Sequence, residues 1–131
     1  MIFSAKGNSI ENCFRGVIRA FSDLLTHESL IDCALKTEIE LKAKTYEELV
    51  FDFVEHLVIL TTTEPYFIPT ELANFSIDDQ HGKLTLRCFL VGDYFDPKKH
   101  QYGTEIKAAS YHQLKVTNEQ GSWAINFLVD I

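Results

Sequence analysis

The chain is 131 residues long, 46% hydrophobic and 24% charged, with a formal net charge of −7. That length supports one domain, 1–131, with a core that needs no staples, and the negative charge argues against an independent grip on a nucleic-acid backbone. No apolar run approaches the roughly 20 residues of a membrane span, no signal peptide precedes the first helix, and the widely spaced Cys13, Cys33 and Cys88 suggest neither a disulfide framework nor a zinc motif, so a cytoplasmic protein is expected.

Met1–Lys6 is a short apolar start that Gly7 breaks. Asn8 followed three residues later by Glu11 predicts a capping box. Ile10, Cys13, Phe14, Val17, Ile18, Phe21, Leu24 and Leu25 then recur at helical spacing, which predicts an amphipathic helix to about Thr26. Leu35–Lys44 alternates strictly, giving a strand whose mixed Lys/Glu face is wet. Thr45 and Glu48 repeat the capping pattern and open a second helix that buries Tyr46, Leu49, Val50, Phe53, Val54, Leu57 and Leu60. Pro65 lies beyond it. Tyr66–Ile68 is a short strand stopped by Pro69. Ala73–Asp78 and Lys83–Gly92 flank the turn composition Asp79-Gln80-His81-Gly82 and form a hairpin. Asp93–Gly103 is a polar loop carrying Pro97. Leu114–Thr117 and Ser122–Ile131 form a second hairpin around Asn118-Glu119-Gln120-Gly121. In its last strand Trp123, Ile125, Phe127 and Val129 point one way, and Ala124, Asn126, Leu128 and Asp130 the other. The expected fold is therefore α+β and two-layered, with two amphipathic helices packed on one mixed, mostly antiparallel β-sheet.

Two constellations bear on chemistry. Asp130 and the end of Ile131 place oxygens of the kind that hard cations take, but two neighbouring groups do not complete a site. Asp96, His100, Lys107 and His112 can be drawn as an acid/base set. No Gly-x-Ser-x-Gly elbow, Gly-rich phosphate loop or His-Glu-x-x-His run accompanies them, and Asp96-Pro97 reads as turn chemistry. Stand-alone catalysis is not expected.

The stretch Ile106-Lys107-Ala108-Ala109-Ser110-Tyr111-His112, followed by a tryptophan-bearing strand that stops at Asp130-Ile131, resembles the signature of the archeases. These are small proteins that assist the tRNA-splicing type of RNA ligase. Val91–His100 is similar to the same family's Gly-acid…Asp-Pro…His loop, and the resemblance covers nearly the whole chain. It implies an accessory protein, not an enzyme, that promotes nucleotide-dependent activation and multiple turnover of the ligase in tRNA splicing and RNA repair. Lys107, His112 and Asp130 are the partner-facing residues so implied. A calcium ion held by Asp130 and Ile131 is implied as well, but the family completes that site from an upstream His-Thr-Ala-Asp segment that is absent here. Aligning Phe3–Gly7 and Ile10–Phe14 with the family's first strand and helix puts the missing aspartate at about the position before Met1. The expectation is a shortened start or a lost ligand. Glu55 and His56 stand where the family has Asn-Glu, which turns the acid by about 100° around the helix. The other reading is a binding module of this fold that has lost activator function and metal binding.

Overall fold

Two helices and six strands account for the regular structure of the computed structural model, which describes residues 1–27 and 31–131. In chain order these are β1 (Ile2–Gly7), α1 (Ile10–Thr26), β2 (Leu35–Ala43), α2 (Tyr46–Thr62), β3 (Phe67–Gln80), β4 (Lys83–Tyr94), β5 (Ala108–Glu119) and β6 (Ser122–Asp130). The α+β class and the two amphipathic helices are as expected.

The start of α1 differs from the expected capping box. Ser9 is the cap, its Oγ accepting the Asn12 N–H at 3.1 Å. Glu11 is then only the second helical residue, one place short of a box, and it pairs instead with Arg15 at 3.0 Å. α2 starts as predicted. Thr45 Oγ accepts the Glu48 N–H at 3.1 Å, and the Glu48 carboxylate accepts from the Lys44 N–H at 3.1 Å, one residue outside the cap.

The single mixed sheet is corrected to two antiparallel sheets of three strands, β1-β6-β5 and β2-β4-β3. Each hairpin, β3–β4 and β5–β6, recruits a third strand from the N-terminal half rather than joining the other hairpin. The helices bridge the division: α1 packs against β1, β6 and β3, and α2 against β5, β2, β3 and β4. β3 also runs on through Pro69, which does not stop it. Pro69 lies on an edge strand, where its missing N–H is tolerated, and its partner is Gly92. A Cβ at Gly92 would collide with the Ile68 carbonyl oxygen, so only glycine lets the two backbones come this close. The register shifts just after this point, between Pro69 and Glu71, and again between Ala73 and Ser76.

Aromatic rings join the layers. Phe3 of β1 meets Phe21 of α1 at 5.6 Å and Phe127 of β6 at 5.3 Å. Phe14 of α1 meets Phe53 of α2 at 4.8 Å and Phe75 of β3 at 5.3 Å. These edge-on and tilted contacts add to the area they bury. Phe14 is fully buried, so Phe14→Ala should cost about 3–5 kcal/mol through the cavity it leaves. Urea denaturation of both proteins measures this, and an unchanged midpoint and slope would refute the placement.

Candidate functional site

β6 is the middle strand of its sheet, so both of its edges carry a neighbour to its end. On one side Ala108 pairs with Asp130, and the Lys107 N–H donates to the Asp130 carbonyl at 2.8 Å. On the other side Ile2 pairs with Leu128. The Met1 ammonium donates to the Val129 carbonyl at 3.1 Å, while the Val129 N–H donates to the Met1 carbonyl at 2.9 Å. Met1 therefore lies opposite Val129, and continuing that register sets the position before Met1 opposite Asp130. Strand pleat does the rest. Ile125, Phe127 and Val129 are buried, which leaves Asp130 on the outer row. Ile106 is wholly buried, while Glu105 and Lys107 on either side of it are exposed. The structure thus brings Lys107, Asp130 and the half-exposed Ile131 to one tip.

His112 is not brought there. It lies five residues beyond Lys107, on the order of 15 Å along a strand, inside an irregularity between Ser110 and Lys115 where Gln113 takes φ 61°. The His112 N–H donates to Ser110 Oγ at 3.2 Å and the residue is exposed. Tyr111 packs edge-on against Phe51 of α2 at 5.4 Å, which ties the bulge to the helix.

Asp96 and His100 build a turn. The Asp96 N–H donates to His100 Nδ1 at 2.9 Å, the His100 N–H donates to the Asp96 carbonyl at 2.7 Å, and Asp96 Oδ1 accepts the Lys98 N–H at 2.9 Å. The buried His100 ring lies 5.7 Å from Phe95. This is the turn chemistry expected of Asp96-Pro97, and both side chains are engaged in it.

Periodicity missed one neighbour. Glu55 of α2 borders a cleft of about 150 Å³ together with Val58, Ile59, Lys107, Ala108 and Ala109. The acid therefore lies beside the tip's lysine. No local signal in the sequence places them together, because the packing of α2 on β5 is a long-range contact. A metal needs more than this. Among the described residues no group of three or more His, Cys, Asp or Glu is placed to hold one. Asp130 and the Ile131 terminus fall well short of the six to eight oxygens calcium takes, so the residues present do not make the implied site by themselves.

Next along α2, burial holds the half-buried His56 imidazole below its ordinary value of 6.5. A folded-state pKa below the unfolded one contributes stability that is present above the unfolded value and lost as pH falls through it. His56→Gln should therefore flatten the loss of stability between about pH 7 and about pH 5. Asp52, raised by burial and then by Glu48, works with the opposite sign at lower pH. Denaturation midpoints across that range, parallel for parent and variant, would refute the assignment.

Comparison with known proteins adds the following. A model of the archease protein family (MTH1598/TM1083) matches residues 1–131. The archease of Pyrococcus furiosus is 29% identical over 126 residues, covering 95% of this chain and 87% of the relative. That of Sulfolobus acidocaldarius is 27% identical over 127 residues, covering 97% and 88%. Among solved structures, protein 1598 of Methanobacterium thermoautotrophicum superposes with a TM-score of 0.80 at 21% identity, covering 99% of this chain and 91% of that one. An archease from Thermotoga maritima, described as a possible chaperone, superposes at 0.57 and 20%, covering 100% and 90%.

Proposed function

The chain belongs to the archease family, and on that premise we propose that it is an accessory protein of a tRNA-splicing type RNA ligase, promoting nucleotide-dependent activation and multiple turnover of that enzyme in tRNA splicing and RNA repair. The family identity supports an archease-type accessory protein. The observation that carries the finer reading is the Lys107 N–H to Asp130 carbonyl bond, which sets an exposed ammonium and exposed carboxylates on one tip. An RNA ligase activates itself around metal and nucleotide phosphate. Carboxylates interact with the metal and an ammonium with the phosphate, so a tip bearing both at the entrance to such a site can alter activation without joining bonds itself. With a net charge of −7 the RNA is left to the ligase. The setting is the cytoplasm. His112, away from the tip on β5, marks how far along that strand the partner's footprint extends.

Asp130→Ala and Lys107→Ala should abolish stimulation of the cognate ligase while leaving stability within about 0.5 kcal/mol, because both side chains are exposed. Glu38→Ala on the wet face of β2 should change nothing. Ligase nucleotidylation and multiple-turnover joining, with and without this protein, measure the effect. Stimulation that survives both tip substitutions would remove the tip from the reading.

Calcium enters as a second proposal. Asp130 and Ile131 bind it weakly at best, and an aspartate added directly before Met1 strengthens it, because the strand register sets that position opposite Asp130. Calorimetry on the two forms should find the extended one tighter. Equal affinities would discard this register argument. If neither form stimulates the ligase, the binding-module reading, favoured by the short donor set, takes the activator's place.

A further inference from the structure

The ends of both helices open onto a surface that the tip does not use. Three adjoining cavities, of about 360, 490 and 640 Å³, share Tyr66 and Phe95 as common walls. Tyr102 borders two of them, is 74% exposed and meets Phe95 edge-on at 5.5 Å. Tyr94 borders the remaining one and is also exposed. Three exposed tyrosines around one half-buried phenylalanine form a contiguous aromatic patch, of the kind that marks an interaction site.

Within these three cavities the charge has one sign, while Lys36 lines a neighbouring groove that shares Glu64 and Tyr94. Glu105 lines the first cavity and Glu64 the adjoining one. No Lys or Arg is among the described lining residues, and Lys98 and Lys99, on the same loop, do not line the space. Leu25 of α1 and Thr61 and Thr62 of α2 also line the first cavity, so both helices end at it. Helix C-termini carry partial negative charge, and neither helix has a basic residue in its last turn. Two α1 carbonyls there, Leu24 and Leu25, are held by the Thr104 and Gly103 N–H groups at 2.8 and 2.9 Å. A Cβ on Gly103 would run into the Leu24 carbonyl oxygen, so this glycine lets the segment leading to Glu105 lie directly on the helix end. Glu40, on β2, by contrast has cations at hand, Arg87 at 3.1 Å and Lys42 at 3.8 Å.

Aromatic faces, two carboxylates and the C-terminus of α2 all favour a cation. Among cations, guanidinium is planar, stacks on rings and takes a carboxylate through two parallel hydrogen bonds. The joined cavities exceed the volume of one side chain, so chain on either side of it has room to lie across Phe95. We propose that this surface docks an extended, arginine-bearing segment of a partner protein, the guanidinium among Tyr66, Phe95 and Tyr102 and bonded by Glu105. The assignment goes beyond the ligase reading and does not require it.

The test uses the whole chain, ¹⁵N-labelled, and an end-capped peptide Ser-Gly-Arg-Gly-Ser. Titration should shift the amides of Tyr66, Phe95, Tyr102 and Glu105. Replacing arginine by citrulline, which keeps the shape without the charge, should weaken binding about tenfold or more, as should Glu105→Gln or Tyr102→Ala. Both altered residues are exposed, and the amide spectrum itself reports whether each variant folds. Glu38→Gln should bind as the parent does. Equal binding of the citrulline peptide, or equal weakening by Glu38→Gln, would overturn the proposal. So would competition by tetramethylammonium at the peptide's own concentration, which gives the site to a small cation. Concentration-dependent shifts at the same residues without peptide would give it to a second copy of the chain.

Discussion

The charged end of the fold depends on a strand that cannot slide. β6 is hydrogen-bonded along both edges, to β1 and β5, and buries Ile125, Phe127 and Val129 on one face. Sliding β6 by one residue against its neighbours would turn that apolar row toward water. Each such side chain is worth about 1.5–3 kcal/mol buried, against roughly 0.5–1.5 for one hydrogen bond. The core therefore decides the register, and the Lys107–Asp130 bond follows from it. The charged tip is positioned by groups that take no part in its chemistry.

What was legible in the sequence follows the range of the forces involved. Both helices showed in their apolar stripes, and β4 in the alternation of Leu84, Leu86, Cys88 and Leu90, all now buried, because side-chain period is a local property. The division into two sheets was not legible. It depends on β2 choosing β4 and β1 choosing β6 across long stretches of chain. Pro69 looked like a stop because its tolerance comes from its place on an edge strand, facing a glycine twenty-three residues further on. Ser9 took the cap from Asn8 by a single residue, within the ordinary blur of helix ends. The resemblance groups Asp130, Ile131 and Lys107, and the Lys107–Asp130 backbone bond lies among them. Glu55's position beside Lys107 had no local trace, and the bulge in which His112 lies is one that alternation does not announce.

Two acids have ion-pair partners among the described residues: Glu40 of β2 with Arg87 and Lys42, and Glu11 with Arg15 within α1, whose guanidinium also donates to the Leu72 carbonyl at 2.9 Å. Where strands and helices end, at the tip and at the closing turns of α1 and α2, the carboxylates have no cation within ion-pairing distance among the described residues. Exposed pairs contribute about 0–1 kcal/mol each, so this pattern matters little for stability. It matters for association, because unpaired acids on a chain of net charge −7 attract cationic surfaces with a strength that falls as salt rises.

The bulge in β5 reaches further than the displacement of His112. An open sheet edge is a template on which a foreign strand can grow, and the sheet of β1, β6 and β5 has two of them. β1 offers only six residues. β5 is twice as long, and its pairing row is broken midway where Gln113 enters the left-handed region. A would-be intruder meets neither edge as a long, flat, regular ladder. The irregularity that carries His112 thereby also guards the chain against sheet-to-sheet aggregation.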